Sequence, residues 1–289
     1  MTENKLGLGL ATLLVAGTMM GSGVYLLPAS LAVVGSSSLI AWFIAIGVAL
    51  LFAGVFASLT GRGEGGGFVR RIEEAFGSRA SFMAAAFYWM QGVLGNVALA
   101  LATTGYLSAI VPALNTPAML LGTTLAVLGL FTLLTLYGPL LIARLEGWTL
   151  AFGLLPVLGA ATVGWFWFDA DIFRQSWNMT DGSVAAHLPT TVVSILWAFI
   201  GLESASLAAS MVKDPARTVP RATLLGVAGA ALVYLSACTL INGVLPAGEL
   251  ANSNAPFADL AGSLFGASMG VLVAAFAALR AGGALGGWM

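Results

Sequence analysis

Charge is scarce in this chain, and the side chains that carry most enzymatic and metal chemistry are nearly missing. Only 8% of the 289 residues are charged, with one cysteine and one histidine among them. Hydrophobic residues make up 59% and the mean hydropathy is +0.98, which excludes water-soluble globular classes and leaves a polytopic membrane protein. Nucleic acid is not an expected partner, because the sequence has no basic block. Cys238 lies in the apolar run 234–240 and has no second cysteine to pair with, so redox compartment is not readable. One Cys and one His build no metal cluster, and no nucleophile-base pair stands out; neither metal, cofactor nor enzymatic activity is expected. The first residues, Met1 to Lys5, carry a single Lys, and no small-residue cleavage site stands out after them. The following apolar run is too long for a signal-peptide core, so it reads as an uncleaved first span.

What the sequence has is apolar runs. At about 20 residues per crossing, spans fall at 8–33, 37–60, 81–111, 118–137, 147–168, 188–211, 221–245 and 263–289, the eighth unfinished at Met289. The fold class is all-α, with 1–289 as a single transmembrane domain. With the N-terminus cytoplasmic, the inner side collects Lys5, Arg62, Arg70, Arg71, Arg79, Arg144, Lys213, Arg217 and Arg221. Only Arg174 falls outside, while Arg280 lies within the last span. That asymmetry points to a cytoplasmic-membrane protein in this orientation. Gly61 to Gly66 match the pattern GxGxxG, yet the match is rejected because it follows a membrane span and not a strand. A hinge is expected there, followed by a short amphipathic surface helix over Phe68 to Phe76. The loop 169–187 reads as a solvated outer connection with His187 at its boundary.

Two spans are interrupted. The first has Gly21-Ser22-Gly23 in its middle and Pro28 just after; the sixth breaks at Ile200-Gly201-Leu202, with Glu203 immediately beyond. Glycine and proline weaken a membrane helix, and backbone that leaves helical geometry at membrane depth is tolerated where protein or a watery cavity surrounds it. Five spans separate the two breaks. An inverted five-plus-five repeat is therefore expected, with a first repeat over 6–168 and a partial second over 188–289. Because the eighth span is unfinished, the 289 residues are expected to be incomplete and not to transport on their own.

The breaks have a chemistry. N–H groups at Gly21, Ser22 and Gly23 would face the start of a half-helix, where the dipole favours a carboxylate. The alternative is close helix packing, since Gly17 and Gly21 form a small-xxx-small pair. Freed carbonyls near Trp197 and Ile200 would accept from an ammonium group, and Trp197 offers an aromatic face to a cation. Glu203 would carry a proton or balance a substrate's charge; a protonated glutamate satisfied by a neighbouring helix is the alternative. On the third span Tyr88, Gly92, Asn96 and Leu99 share one helical face. Asn96 would bond a substrate amine or a partner helix, and Tyr88 would either function or pack.

The run from Gly17 to Ala29, with Gly21-Ser22-Gly23-Val24-Tyr25 and Pro28, resembles the first span of the basic amino acid/polyamine antiporters of the amino acid-polyamine-organocation superfamily. So do Leu196 to Ser206 in the sixth span, Val212 to Pro220 after it, Gly164 to Phe168, and Gly286-Gly287-Trp288. The arginine/agmatine, lysine/cadaverine and ornithine/putrescine exchangers are the most similar members. The resemblance implies twelve spans in the complete protein, Ser22 and Gly23 on the substrate carboxylate, and carbonyls around Thr18, Trp197 and Ile200 on the α-amino group. It also implies Asn96 and Trp288 at the side-chain end, Trp197 as an aromatic gate, and Tyr88 and Glu203 in the pH response. Gln91 and Leu99 depart from the arginine exchanger beside the side-chain pocket, which leaves arginine, lysine and ornithine open. Arg280 would repel cationic ligands unless paired with Glu203 or turned elsewhere. The expected function is exchange of a cationic amino acid for its decarboxylated amine by alternating access, with the bilayer and a homodimer partner as further contacts. A proton-coupled permease for neutral amino acids, or a non-transporting membrane subunit or fragment, are the alternatives.

Overall fold

The computed structural model describes residues 5–60, 68–204 and 211–289. Its elements are α1 (Leu8–Met19), α2 (Ser22–Ala32), α3 (Ser38–Thr60), α4 (Phe68–Phe76), α5 (Ser78–Ile110), α6 (Pro117–Tyr137) and α7 (Pro139–Gly153). They continue with α8 (Leu155–Thr162), α9 (Ala170–Gln175), α10 (Val184–Leu196), α11 (Pro215–Asn242), α12 (Ala247–Leu250), α13 (Pro256–Phe265) and α14 (Ala267–Trp288). Among the described residues, helix is the only regular structure besides one bridge. There Leu6 N–H donates to Met211 O at 2.8 Å and Lys213 N–H to Leu6 O at 2.9 Å.

Among the described residues six helices are long and apolar enough to cross a membrane: Ser38–Leu59, Ser78–Ile110, Pro117–Tyr137, Arg144–Trp167, Pro215–Asn242 and Ala267–Trp288. The pair Leu8–Met19 and Gly23–Ala32, bent by 45°, makes a seventh, and Val184–Phe199 is a shorter apolar helix. The protein is therefore polytopic and all-helical, and the two segments that fail the length test unaided are those in which the sequence places its breaks. The element α4 differs in kind, because its arginines and glutamates pair along one side, Arg70 with Glu74 and Arg71 with Glu74, each at 3.1 Å. Its Phe68 turns back onto Phe56 and Tyr88, with ring centroids 5.9 and 5.1 Å away. The GxGxxG stretch, 61–66, lies outside the described residues, as does 205–210 of the expected sixth span.

Several expected boundaries shift: the helix of the sixth span, expected from 188, starts at Val184, and that of the seventh, expected from 221, starts at Pro215. The helix of the fifth span, α7, begins at Pro139, because proline suits the first helical position, and carries Arg144 and Glu146 inside it, while the apolar crossing itself runs Arg144–Trp167, close to the expected 147–168. It is then jointed at Leu154 and ends in a 3-10 turn over Val163–Trp167. The last crossing begins at Ala267 and not at 263, since Gly266 at φ +90° ends α13 and starts α14 in a new direction.

Small residues set the packing. In α3, Ala41, Ala45, Ala49 and Ala53 recur every fourth residue, all buried, against α10 and α11. In α11, Ala222, Gly226 and Ala230 form a similar stripe under α1. Large apolar side chains such as Phe43, Leu51, Leu133 and Tyr137 point outward, as lipid-facing surfaces require. Two aromatic knots hold the broken segments. Trp42, Phe199 and Tyr234 pack ring on ring at 5.8–6.4 Å beside the end of α10. Tyr25 of α2 stacks edge-on with Tyr106 and Phe257, donates its hydroxyl to Gly153 O, and receives at its own carbonyl the Tyr106 hydroxyl at 3.1 Å.

A Cβ built on Gly226 would stand 2.7 Å from Val15 Cβ, whereas one on Gly229 meets nothing within 4 Å. We expect Gly226→Ala to cost about 1–3 kcal/mol by overpacking. Gly229→Ala should be neutral or stabilising by up to about 1 kcal/mol. Thermal unfolding in detergent compares the two, and equal melting temperatures would contradict this account of the α1–α11 interface.

Candidate functional site

The first break is narrow. Helix α1 ends at Met19, Met20 N–H closes it on Ala16 O at 3.1 Å, and Gly21 N–H reaches back to Met19 O at 2.8 Å. Helix α2 then restarts at Ser22, so the unwound residues are Met20 and Gly21, and Ser22 and Gly23 form the first turn of the second half-helix. That placement leaves their N–H groups without an intrahelical acceptor, as at any helix start. The Ser22 side chain lies outside the described residues. The second break follows the 3-10 turn Trp197–Phe199: Ile200 is extended (φ −61°, ψ 132°) and Gly201 has φ +105°.

The two breaks touch. Thr18 Oγ1 lies 2.9 Å from Ser204 Oγ and 3.2 Å from Gly201 O, and it also reaches Leu14 O and Val15 O of its own helix at 3.0 and 2.9 Å. A hydroxyl has one proton and two lone pairs, so Thr18 donates to one carbonyl at a time and accepts from Ser204. Gly201 is needed twice over, since its φ suits glycine and a Cβ would lie 3.2 Å from the Thr18 carbonyl carbon. Gly23 allows the other approach, where a Cβ would lie 2.9 Å from Ala198 Cα.

Around this contact lie two adjoining spaces. The inner one, about 30 Å³, is lined by Thr18, Gly23, Gln91, Leu99, Trp197, Ile200 and Trp288 together with backbone of the first break. It has room for one or two water-sized groups. The outer one, about 470 Å³, is lined by Thr18, Tyr88, Glu203 and Trp288, and also by Glu146 and Ser204. Tyr88 hydroxyl donates to Glu203 Oε1 at 2.9 Å, and Gly201 N–H donates to Oε2 at 3.2 Å. Glu203, 7% exposed, thus ties α5 to the second break. Asn96 lines neither space, and its Oδ1 is buried with no hydrogen-bond partner among the described residues.

Arg280 is not paired with Glu203. At 1% exposure it is turned onto the first break, where Nε donates to Met20 O at 3.0 Å and Nη2 to Gly17 O at 2.7 Å. These are carbonyls at the end of α1, the negative pole of a helix, where a cation is favourable. Glu146 went unnoticed in the sequence because it stands one residue before the span expected at 147–168. The signal that finds it is Pro139, which starts the helix earlier and carries the glutamate into the crossing.

Substituting Gly201 with alanine should cost about 1–3 kcal/mol, from the left-handed φ and the lost clearance over Thr18. Gly92→Ala, whose added methyl meets nothing within 4 Å, is the control. Equal melting temperatures for the two variants would sink the claim that the breaks are held by close main-chain contact.

Known proteins place the chain. Residues 6–289 match the family described as amino acid permease. The cadaverine/lysine antiporter of Escherichia coli strain K12 is 38% identical over 100% of this chain and 65% of its own length. The putrescine transporter PotE of the same strain is 34% identical over 99% of this chain and 65% of its own length. PotE of Haemophilus influenzae is 34% identical over 99% of this chain and 66% of its own length. The chain thus spans about two thirds of the length of these relatives. The match runs through both breaks and the residues between them, and the chain belongs to the amino acid permease family.

Proposed function

We propose that the protein is a secondary exchanger of a cationic amino acid for its decarboxylated amine, working by alternating access across the cytoplasmic membrane. The observation that carries this reading is the meeting of two helix breaks at Thr18, Gly201 and Ser204, beside a small chamber that shares the walls Thr18 and Trp288 with a larger space. Relatives at 34–38% identity that exchange or transport lysine, cadaverine or putrescine support the substrate class. On this reading the substrate carboxylate docks on the N–H groups of Ser22 and Gly23, at the positive pole of α2. Its α-ammonium meets the carbonyls around Thr18, Trp197 and Ile200. Trp197 and Trp288 close over the guest, with Gln91 and Leu99 toward its side-chain end, while Asn96 lies behind the wall of the chamber. Tyr88 and Glu203 couple the cycle to protons. The two breaks belong to inverted five-span repeats, and the N-terminus is cytoplasmic, as the placement of basic residues favours.

Buried Arg280 is turned onto main-chain carbonyls of the first break through Nε and Nη2, and Glu146 is the carboxylate whose charge acts on it. The test is exchange by the full-length protein in liposomes preloaded with unlabelled lysine, ornithine or arginine. Labelled cadaverine, putrescine or agmatine should enter several-fold faster than into empty vesicles. Uptake of alanine without any such acceleration would replace the exchanger with a neutral amino acid permease.

A further inference from the structure

Neither break uses one carboxylate of the larger space. Glu146 stands on α7, and its side chain lies against Gly287 of α14, where no Cβ would fit. Among the described residues no hydrogen bond or ion pair reaches its carboxylate oxygens. Glu203 on the same space differs, since Tyr88 and Gly201 each donate to one of its oxygens. Arg280, the buried cation of this region, is bound to Met20 O and Gly17 O. Glu146 is thus an ionisable group carried inside a membrane crossing and facing a cavity, with no hydrogen bond to its carboxylate among the described residues and with the charge of Arg280 acting on it, and such a group attracts a cation from the cavity side.

Size adds a second constraint. At about 30 Å³ the inner chamber holds a head group and no chain. The body of a straight diamine then extends into a neighbouring space: one of about 280 Å³ shares Gln91 and Ile200 with the chamber, and the larger, of about 470 Å³, shares Thr18 and Trp288 and holds the carboxylate that no described hydrogen bond reaches. We propose that Glu146 binds a primary ammonium group of the cationic guest in that larger space and so selects ligands with a second positive charge, such as linear diamines. The proposal rests on the exchanger reading above and adds a residue to it. Trp288 flanks the same space and offers the ammonium a ring face.

The test is equilibrium binding of labelled cadaverine to the purified full-length protein, as wild type, Glu146→Gln and Glu146→Asp. Competition by 1-aminopentane, which keeps the chain and one charge, runs in parallel. Glu146→Gln should weaken cadaverine about tenfold or more and 1-aminopentane less than about threefold, as loss of one charged hydrogen bond requires. Glu146→Asp should recover part of the cadaverine affinity. Unchanged cadaverine binding by Glu146→Gln, or equal weakening of both ligands, overturns the proposal. Melting temperatures are taken first. Should Glu146→Gln not fold, Glu146→Asp carries the test, with about a threefold loss for cadaverine alone expected and no difference between the ligands overturning it. A wild-type protein that binds neither cadaverine nor lysine overturns the exchanger reading and Glu146 with it. A wild type that binds both beside an indifferent Glu146→Gln overturns only Glu146.

Discussion

Main chain that leaves the helix inside an apolar slab carries donors and acceptors that no water will satisfy, and everything distinctive in this protein follows from how that need is met at two places. The first break closes on itself through Gly21 N–H and on the second through Thr18, while the second returns a carbonyl and the Ser204 hydroxyl. Glu203 accepts the Gly201 N–H and holds Tyr88 on α5. Each partner is itself from a broken or bordering segment. The contact is therefore a joint between two half-helices, and shifting either half disturbs the other.

Arg280 completes the same accounting from a different direction. Helix α1 ends in carbonyls that point at protein and not at lipid or water, and an arginine fork is suited to span two of them at once. Met20 O and Gly17 O are one helical turn apart, which is the reach of Nε and Nη2. Burial of a full charge is costly, and two charge-assisted bonds at a negative helix pole offset part of that cost. The close approach of α7 and α14, made possible by Gly153 against Arg280 and by Gly283 against Thr149, holds the guanidinium in line.

How much of this is legible in sequence depends on whether a feature leaves a compositional mark. The breaks do: Gly21-Ser22-Gly23 and Ile200-Gly201 interrupt otherwise continuous apolar runs at the places where helical geometry ends or restarts, whereas Pro28 lies inside α2. Uniform apolar runs such as 38–60 and 117–137 are equally plain, because charge is so rare that its absence marks a crossing. Positions set by another helix leave no such mark. The acceptors of Arg280 are carbonyls, which every residue has, so its partners are invisible until α1 and α14 are laid side by side. Spacing puts Asn96 on one face with Tyr88, Gly92 and Leu99, yet that face is about 80° wide, with Asn96 at its edge, and contains positions that look into the chamber and positions that do not. Glu146 was hidden by a boundary rule: charged residues near an apolar run read as loop, and a proline that starts a helix reads as a stop.

The two spaces beside the breaks differ more than tenfold in volume. The chamber of about 30 Å³ at the breaks has room for one or two water-sized groups, and the neighbouring space of about 470 Å³ has room for far more. Trp288 and Thr18 belong to both walls, so merging the inner space with the larger one has to move one of them. Thr18 is fixed by four oxygen neighbours, while Trp288 stands at the end of α14 and is half-buried. On physical grounds the softer element is the indole, because rotating it about χ1 breaks no hydrogen bond among those described, whereas moving Thr18 would undo the joint that keeps the unwound segments together.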